Sequence, residues 1–164
     1  MSREYPKLPI VAVGAVIVHP DATRVVLVKR GRPPLQGEWS IPGGVLELGE
    51  TVAEGVVREA LEETGLMVAA GEVIGVFDRI LLNESEAEAE AEAESEADAG
   101  RIRYHYVLID LLCRVVGGVL RVGGDAAEVR WAAPSEFSVL GLGEEVRKVA
   151  EKGLRLAADV FDKG

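Results

Sequence analysis

Three glutamates, Glu59, Glu62 and Glu63, stand at i, i+3 and i+4 in the segment GVLELGETVAEGVVREALEETGL, residues 44–66. On a helix that spacing places three carboxylates on one face. Glu50, just ahead of them, can reach the same region. Water and counterions answer such crowding on a solvated surface. A hard divalent cation answers it better, because Mg²⁺ and Mn²⁺ prefer carboxylate oxygens and keep water ligands. The Gly43-Gly44 turn that feeds the segment could add a backbone carbonyl oxygen. Arg58, immediately before Glu59, could pair with a glutamate and hold its rotamer. These types at these offsets point to a cation site rather than to a face that is merely solvated.

The elements that must position these groups follow from the pattern around them. Thr51 is a good N-cap with Glu54 as its capping-box partner, so a helix is expected from there to Thr64, with Gly65 placed to stop it. Its apolar positions Val52, Val56, Ala60 and Leu61 fall at helical spacing. Ile10–Val18 is apolar and β-branched, as in a strand buried on both faces. His19-Pro20-Asp21 reads as a turn, and Arg24–Arg30 as a second strand. Gly31–Glu38, with two prolines and two glycines, must be a loop. Trp39–Ile41 can form a short strand. Val68–Leu82 is strand-like but interrupted by Gly71 and Gly75. Arg103–Val116 and Val129–Ala133 are further strands, and Glu144–Val160 is an amphipathic closing helix. The expected fold class is α/β, an α/β/α sandwich around a mixed sheet.

The chain has 164 residues, a length that suits one domain, with 18 Lys+Arg against 28 Asp+Glu and a formal charge of −10. The eight acids of ESEAEAEAEAESEAD, residues 84–98, carry most of that charge; without them the balance is 18 against 20, or −2. The tract reads as an acidic low-complexity insert between two strands in a single domain spanning 1–164. An acidic chain is not expected to bind nucleic acid. Cys113, the one cysteine, excludes an intrachain disulfide and reads as a buried, inert thiol. The start MSREYPKLP lacks the features of a signal peptide, and no apolar run approaches the ~20 residues of a membrane helix. A cytoplasmic protein with no membrane association is expected.

The 44–66 segment resembles the signature of the Nudix hydrolase superfamily, carried here by Gly44, Glu50, Arg58, Glu59, Glu62, Glu63, Gly65 and Leu66. Ala60 departs from it, being small where a bulky aliphatic residue is usual. The resemblance implies hydrolysis of a nucleoside diphosphate linked to another moiety, with Mg²⁺ or Mn²⁺. It implies Glu59, Glu62 and Glu63 as metal ligands, joined by the Gly44 carbonyl, with Glu50 and Arg58 supporting them. Metal ions neutralise a dense pyrophosphate and lower the pKa of a bound water. One carboxylate must then accept that water's proton: Glu62 or Glu63 on the helix, or Asp125 or Glu128 in the loop GGDAAEVRW.

The loop KRGRPPLQGEWSIPGG and the strand RYHYVLIDLLC resemble those of bacterial ADP-ribose or ADP-sugar pyrophosphatases. The proline that such enzymes often carry beyond the signature is Leu82 here. Lys29, Arg30 and Arg32 are candidate phosphate contacts. Trp39 could stack on a base or pack under the loop. His19 and His105 read as a turn and a strand residue without a chemical role. The expected ligand is a small nucleotide, ADP-ribose or an ADP-sugar. The alternatives are a nucleoside triphosphate pyrophosphohydrolase of the nucleotide pool, a non-catalytic nucleotide sensor, and a scaffold acting through the acidic tract. Family members often pair, which makes the closing helix a candidate homodimer contact.

Overall fold

A computed structural model describes residues 3–83 and 100–161. Its strands are β1 (Ile10–Val18), β2 (Val25–Arg30), β3 (Trp39–Ser40), β4 (Gly43–Val45), β5 (Leu66–Leu82), β6 (Ile102–Gly118) and β7 (Ala126–Ala132). Helix α1 (Val52–Thr64) lies between β4 and β5, and α2 (Glu144–Phe161) closes the chain. The strands form one mixed sheet in the order β3-β2-β1-β6-β5, with β4 added to β1 and β7 to β2. Only β1 and β6 run parallel, in register from Ile10 opposite Tyr106 to Val18 opposite Arg114.

The apolar run of β1 is continuous because a helix covers each face of the sheet. Val13, Ala15 and Ile17 pack with Val56 and Ala60 of α1. Val16 and Val18 turn the other way, toward Val149, Ala150 and Leu154 of α2. The expected α/β/α sandwich is therefore the observed one. β1 and β2 are paired at Val18 and Val25, beside their turn. Nearer the start of β1 its neighbour is β4, where Ala12, Val13 and Gly14 face Val45, Gly44 and Gly43. This exchange of partners opens the sheet beside the start of α1.

The helix ends follow the sequence closely. Thr51 accepts the Glu54 N–H through its hydroxyl, and the Glu54 carboxylate accepts the Thr51 N–H in return. Gly65 stops the helix at φ +71°, a left-handed conformation that favours glycine, and donates to the Leu61 carbonyl. Three expectations differ. The glycines Gly71 and Gly75 do not end a strand: β5 runs through them, and its register with β6 shifts there, as at a bulge. The Gly43-Gly44 turn is part of strand β4, whose lack of side chains hid its strand character. β7 begins at Ala126 rather than Val129, because its polar start pairs with Lys29 and Arg30 at the end of β2.

Cys113 is buried, and burial pushes its thiol up to about 12, so the inert reading stands. No helix among the described residues is long and apolar enough to cross a membrane. The insert at 84–98 lies outside the described residues. Replacing Thr51 by Ala removes one cap hydrogen bond and should lower unfolding stability by about 1 kcal/mol in urea titrations. An unchanged midpoint would show that the packing of α1, not its cap, sets its start.

Candidate active site

Arg58 lies at the centre of the carboxylate cluster. Its Nε donates to Glu50 Oε1 at 2.6 Å and its Nη2 to Glu50 Oε2 at 2.9 Å, a two-pronged pair. Nη1 donates to Glu59 Oε1 at 2.7 Å and reaches Glu62 Oε2 at 3.4 Å. Nη2 also donates to the Val45 carbonyl at 3.1 Å, tying the helix to β4. One guanidinium therefore touches three of the four signature glutamates and fixes their spacing. Glu50 also accepts from the Glu47 N–H. Arg58, followed by this N–H, holds its carboxyl down at about 2. The same contacts raise Arg58 above the usual guanidinium range. Glu50 is thus a structural anion, consistent with the supporting place expected for it.

Glu59 and Glu63 are in the opposite condition. Burial pushes Glu59 upward, against its pairing with Arg58 and with a contribution from the Glu62 charge. Glu63 is pushed up to about 7, first by burial and then by Glu59 and Asp125, against the hydrogen bond it accepts from the Gly43 N–H at 3.0 Å. Glu62 is half exposed. The glycines of β4 make this possible. A side chain at Gly44 would lie 2.3 Å from Glu59 Oε1, and one at Gly43 would lie 2.2 Å from the Val13 carbonyl. The helix can bring its carboxylates onto the strand because the strand has nothing there.

These groups line a cleft with a volume of about 550 Å³, a size suited to a nucleotide. Glu59, Glu62, Glu63, Arg58 and Gly44 form one side, and Lys29, Arg30, Arg32 and Asp125 come from the end of β2 and the loops beside it. Lys29 pairs with Glu128 at 2.9 Å and Arg32 with Asp125 at 3.2 Å. Arg30 donates through Nε to the Pro34 carbonyl, and its charge acts on Glu63. The loop ahead of β7 is docked on the end of α1, where Gly123 donates to the Glu63 carbonyl at 3.0 Å. That contact brings Asp125 to the cleft. Glu128 and Trp39 are not among the lining residues. Trp39 packs against the α2-side core with the Lys29 ammonium 6.0 Å from its ring centre, so of the two readings it follows packing.

Among the lining residues to which the sequence reading gave no role are Arg3, Phe77, Arg79, Tyr106 and Asp110. Arg3 is delivered by a strap in which Glu4 pairs with Arg103 at 2.7 Å and the Tyr5 N–H donates to the Arg103 carbonyl. No spacing rule links a chain start to a strand a hundred residues away. Asp110 was detectable in principle, as an acid in an apolar strand covered on both faces.

Residues 8–153 match the family model described as the NUDIX domain. The chain belongs to the Nudix family. It is 32% identical over 133 residues to a MutT-like protein of Streptomyces ambofaciens, covering 81% of this chain and 70% of that one. It is 34% identical over 123 residues to an ADP-ribose pyrophosphatase of Methanocaldococcus jannaschii, covering 75% of this chain and 61% of the relative. A shorter match, 45% identical over 64 residues, is to a putative 8-oxo-dGTP diphosphatase of Bacillus subtilis and covers 39% of this chain and 41% of that one. Among solved structures, an ADP-ribose pyrophosphatase of Streptococcus suis shares the fold with a TM-score of 0.62 at 23% identity, covering 92% of both chains.

Nudix hydrolases generally act with divalent metal ions, and the donor set fits one. All the candidate groups are hard oxygens. Two of the carboxylates, Glu59 and Glu63, are half-buried near one another, with pKa values raised by burial and like charge, so a cation would relieve both. Among the described residues, however, no three acidic, His or Cys side chains already stand in a metal-binding group. Glu59 is turned to Arg58, and Glu63 to the Gly43 N–H.

A prediction on stability follows from Glu63. Its folded pKa lies above the unfolded value, so the stability it contributes is full below about pH 4 and lost as pH rises through about 7. In metal-free protein, Glu63→Gln should therefore raise Tm relative to wild type, with a gap that widens from pH 5 to pH 8. A gap independent of pH in thermal unfolding would mean that Glu63 is solvated in the native state.

Proposed function

We propose that this Nudix hydrolase cleaves the pyrophosphate bond of a nucleoside diphosphate linked to a second moiety, ADP-ribose or an ADP-sugar, giving AMP and a sugar phosphate. The observation that carries the reading is the composition of the cleft. The carboxylates of α1, two of them half-buried, face cations from Lys29 to Arg32 and Arg3, which is the arrangement a diphosphate needs if a metal ion is to neutralise one end and guanidinium groups the other. Glu59, Glu62 and Glu63, with the Gly44 carbonyl, would hold the metal, for which Mg²⁺ is the expected ion and Mn²⁺ a substitute. Bound there, it would neutralise phosphate oxygens and acidify a water.

The chain's own residues do the positioning. Arg58 holds Glu59 at the β4 backbone, and Glu50 balances the charge of Arg58. Arg30 and Arg32 orient the phosphates from the opposite wall, while Lys29, drawn to Glu128, adds positive potential at its edge. The water oxygen bonds to one phosphorus, the bridging P–O bond breaks, and the other phosphate leaves with that electron pair. The water's proton passes to a carboxylate lining the cleft, Glu62, Glu63 or Asp125. Glu128 is the weaker contender, since Lys29 occupies it outside that lining.

The relatives support the sugar-nucleotide reading unevenly. The one named ADP-ribose pyrophosphatase aligns over three quarters of this chain, whereas the putative 8-oxo-dGTP diphosphatase aligns over 39%. Hydrolysis of nucleoside triphosphates is therefore the second reading, because both reactions use the same helix. A panel of ADP-ribose, ADP-sugars, NADH, dinucleoside polyphosphates and nucleoside triphosphates, compared by kcat/KM with Mg²⁺ and Mn²⁺, separates them. AMP should be released most efficiently from ADP-ribose or an ADP-sugar. No AMP from any ADP-linked compound would eliminate the proposal, and triphosphate cleavage dominating by orders of magnitude would install the second reading. Glu63→Gln should abolish turnover with circular dichroism unchanged; near-normal activity would sink the metal-site assignment.

A further inference from the structure

Asp110 is the one acid among the described residues that is buried, with 1% of its surface exposed, and neither of its carboxyl oxygens has a hydrogen-bond partner. A carboxyl removed from water and left unanswered is a standing cost to folding and calls for an explanation. Its surroundings have been shaped for it. Asp110 sits midway along β6 on the α2 side, with Gly14 of β1 opposite it on one flank and Gly75 of β5 on the other. A side chain at Gly14 would lie 2.1 Å from Asp110 Oδ1. One at Gly75 would meet the Phe77 ring at 3.0 Å and Val149 at 3.2 Å. The space over the two glycines is thus filled by the Asp110 carboxyl and by Ile41, Phe77 and Val149, and Phe77, Leu108, Val146 and Val149 line the cleft beside that carboxyl.

These residues line the same cleft as Glu59 and Glu63. One part of the cleft is therefore ionic and faces phosphates, and another is apolar with a single polar group. The charges that act on Asp110 are few. Arg79 comes from β5 and Glu145 from α2, and these two pair with each other at 3.6 Å. Cys113 is an un-ionised thiol further along β6. Burial outweighs the attraction of Arg79 and pushes the Asp110 carboxyl up to about 7. It is therefore protonated in part near neutrality and offers one donor and one acceptor.

We infer that Asp110 is a specificity-determining residue that reads the amino-bearing edge of adenine, with the base lying against Phe77. The protonated carboxyl donates to ring N1 and accepts from the exocyclic amino group, which is the complement of that edge. Phe77 and Arg79, both partly exposed, are the side chains that yield as the edge comes in. The inference rests on the nucleotide reading above, but not on which group is attached to the diphosphate.

Calorimetric titration of metal-free protein with AMP, and with the 5′-monophosphate of the unsubstituted purine riboside, isolates this contact, since ribose and phosphate are common to both. At about pH 6, wild type should prefer AMP by roughly tenfold. Ring N1 is common to both ligands, so relative to Asp110→Asn the wild-type affinity for each should fall from about pH 6 to about pH 8.5, where the carboxyl has lost its donor, while the preference for the amino group remains. Asp110→Asn keeps one donor and one acceptor in the same shape, so it should retain the preference at both pH values. Asp110→Leu should abolish it. Equal wild-type affinity for the two ligands, wild-type affinities that keep the same ratio to those of Asp110→Asn at both pH values, an undiminished preference in Asp110→Leu, or no measurable binding of either ligand would overturn the inference. Should Asp110→Leu not fold, the wild-type comparison and the pH response of Asp110→Asn still decide. If AMP discrimination stands while no ADP-linked compound is cleaved, the reaction assignment fails and the base-reading role survives.

Discussion

Everything in the site depends on how one arginine contains the repulsion of clustered carboxylates. Glu50, Glu59 and Glu62 converge on Arg58, whose planar fork can meet several oxygens at once, as a lysine could not. Glu63 lies beyond its reach and leans on the Gly43 N–H instead. The cluster is therefore divided into a settled part and an unsettled part. Glu50 is held ionised and satisfied, while Glu59 and Glu63 are pushed upward by burial, Glu59 further by Glu62, and Glu63 further by Glu59 and Asp125. The unsettled pair is what gives a cation something to gain there. A face on which every carboxylate had its own arginine would bind a metal poorly.

The fold serves this arrangement by changing the neighbour of β1 partway along its length. β2 keeps β1 company only near their turn, and β4 takes over beside Ala12–Gly14. Where β2 leaves, its end and the following loop swing positive charge opposite α1. Where β4 enters, two glycines let the helix carboxylates rest against the backbone. The parallel pairing of β1 with β6 also carries the opening to the other face of the sheet, because Gly14 lies directly opposite Asp110. Ionic and apolar parts of one cleft are thus separated by the pleat of β1, on which successive residues face opposite helices.

The helix face was legible in the sequence because helical chemistry is local. The Thr51–Glu54 box, the spacing of Glu59, Glu62 and Glu63, and Gly65 all lie within fifteen residues or so of one another, and each appears in the structure as the spacing requires. The buried strands were legible for a similar reason: a two-sided core leaves a continuous apolar run. β4 was not, because Gly43 and Gly44 look like a turn when their neighbour Val13 is out of view. Arg3 and Asp125 reached the cleft through long-range contacts, a strap on Arg103 and a loop docked on the Glu63 carbonyl. Glu128, so near Asp125 in sequence, was diverted by Lys29 across the strand pair. Asp110 shows the limit most clearly, since its surroundings are set by two glycines on two other strands.

On the proposed reading, the signature helix accounts for attack on a pyrophosphate but not for which one. In that proposal Glu59, Glu62 and Glu63 address charge and a cation, and those features are common to sugar nucleotides and triphosphates alike. Selectivity must therefore arise where the two substrates differ: at the base, or at the group beyond the second phosphate. The β2–β3 loop and Arg3 stand at the ionic side and can sense how many phosphate charges are present. On the inference drawn above, Asp110 can sense the base. A chain can change either region without disturbing the Arg58 cluster, since neither contributes a hydrogen bond to it. That separation is a physical reason why relatives sharing the signature carry names for different substrates.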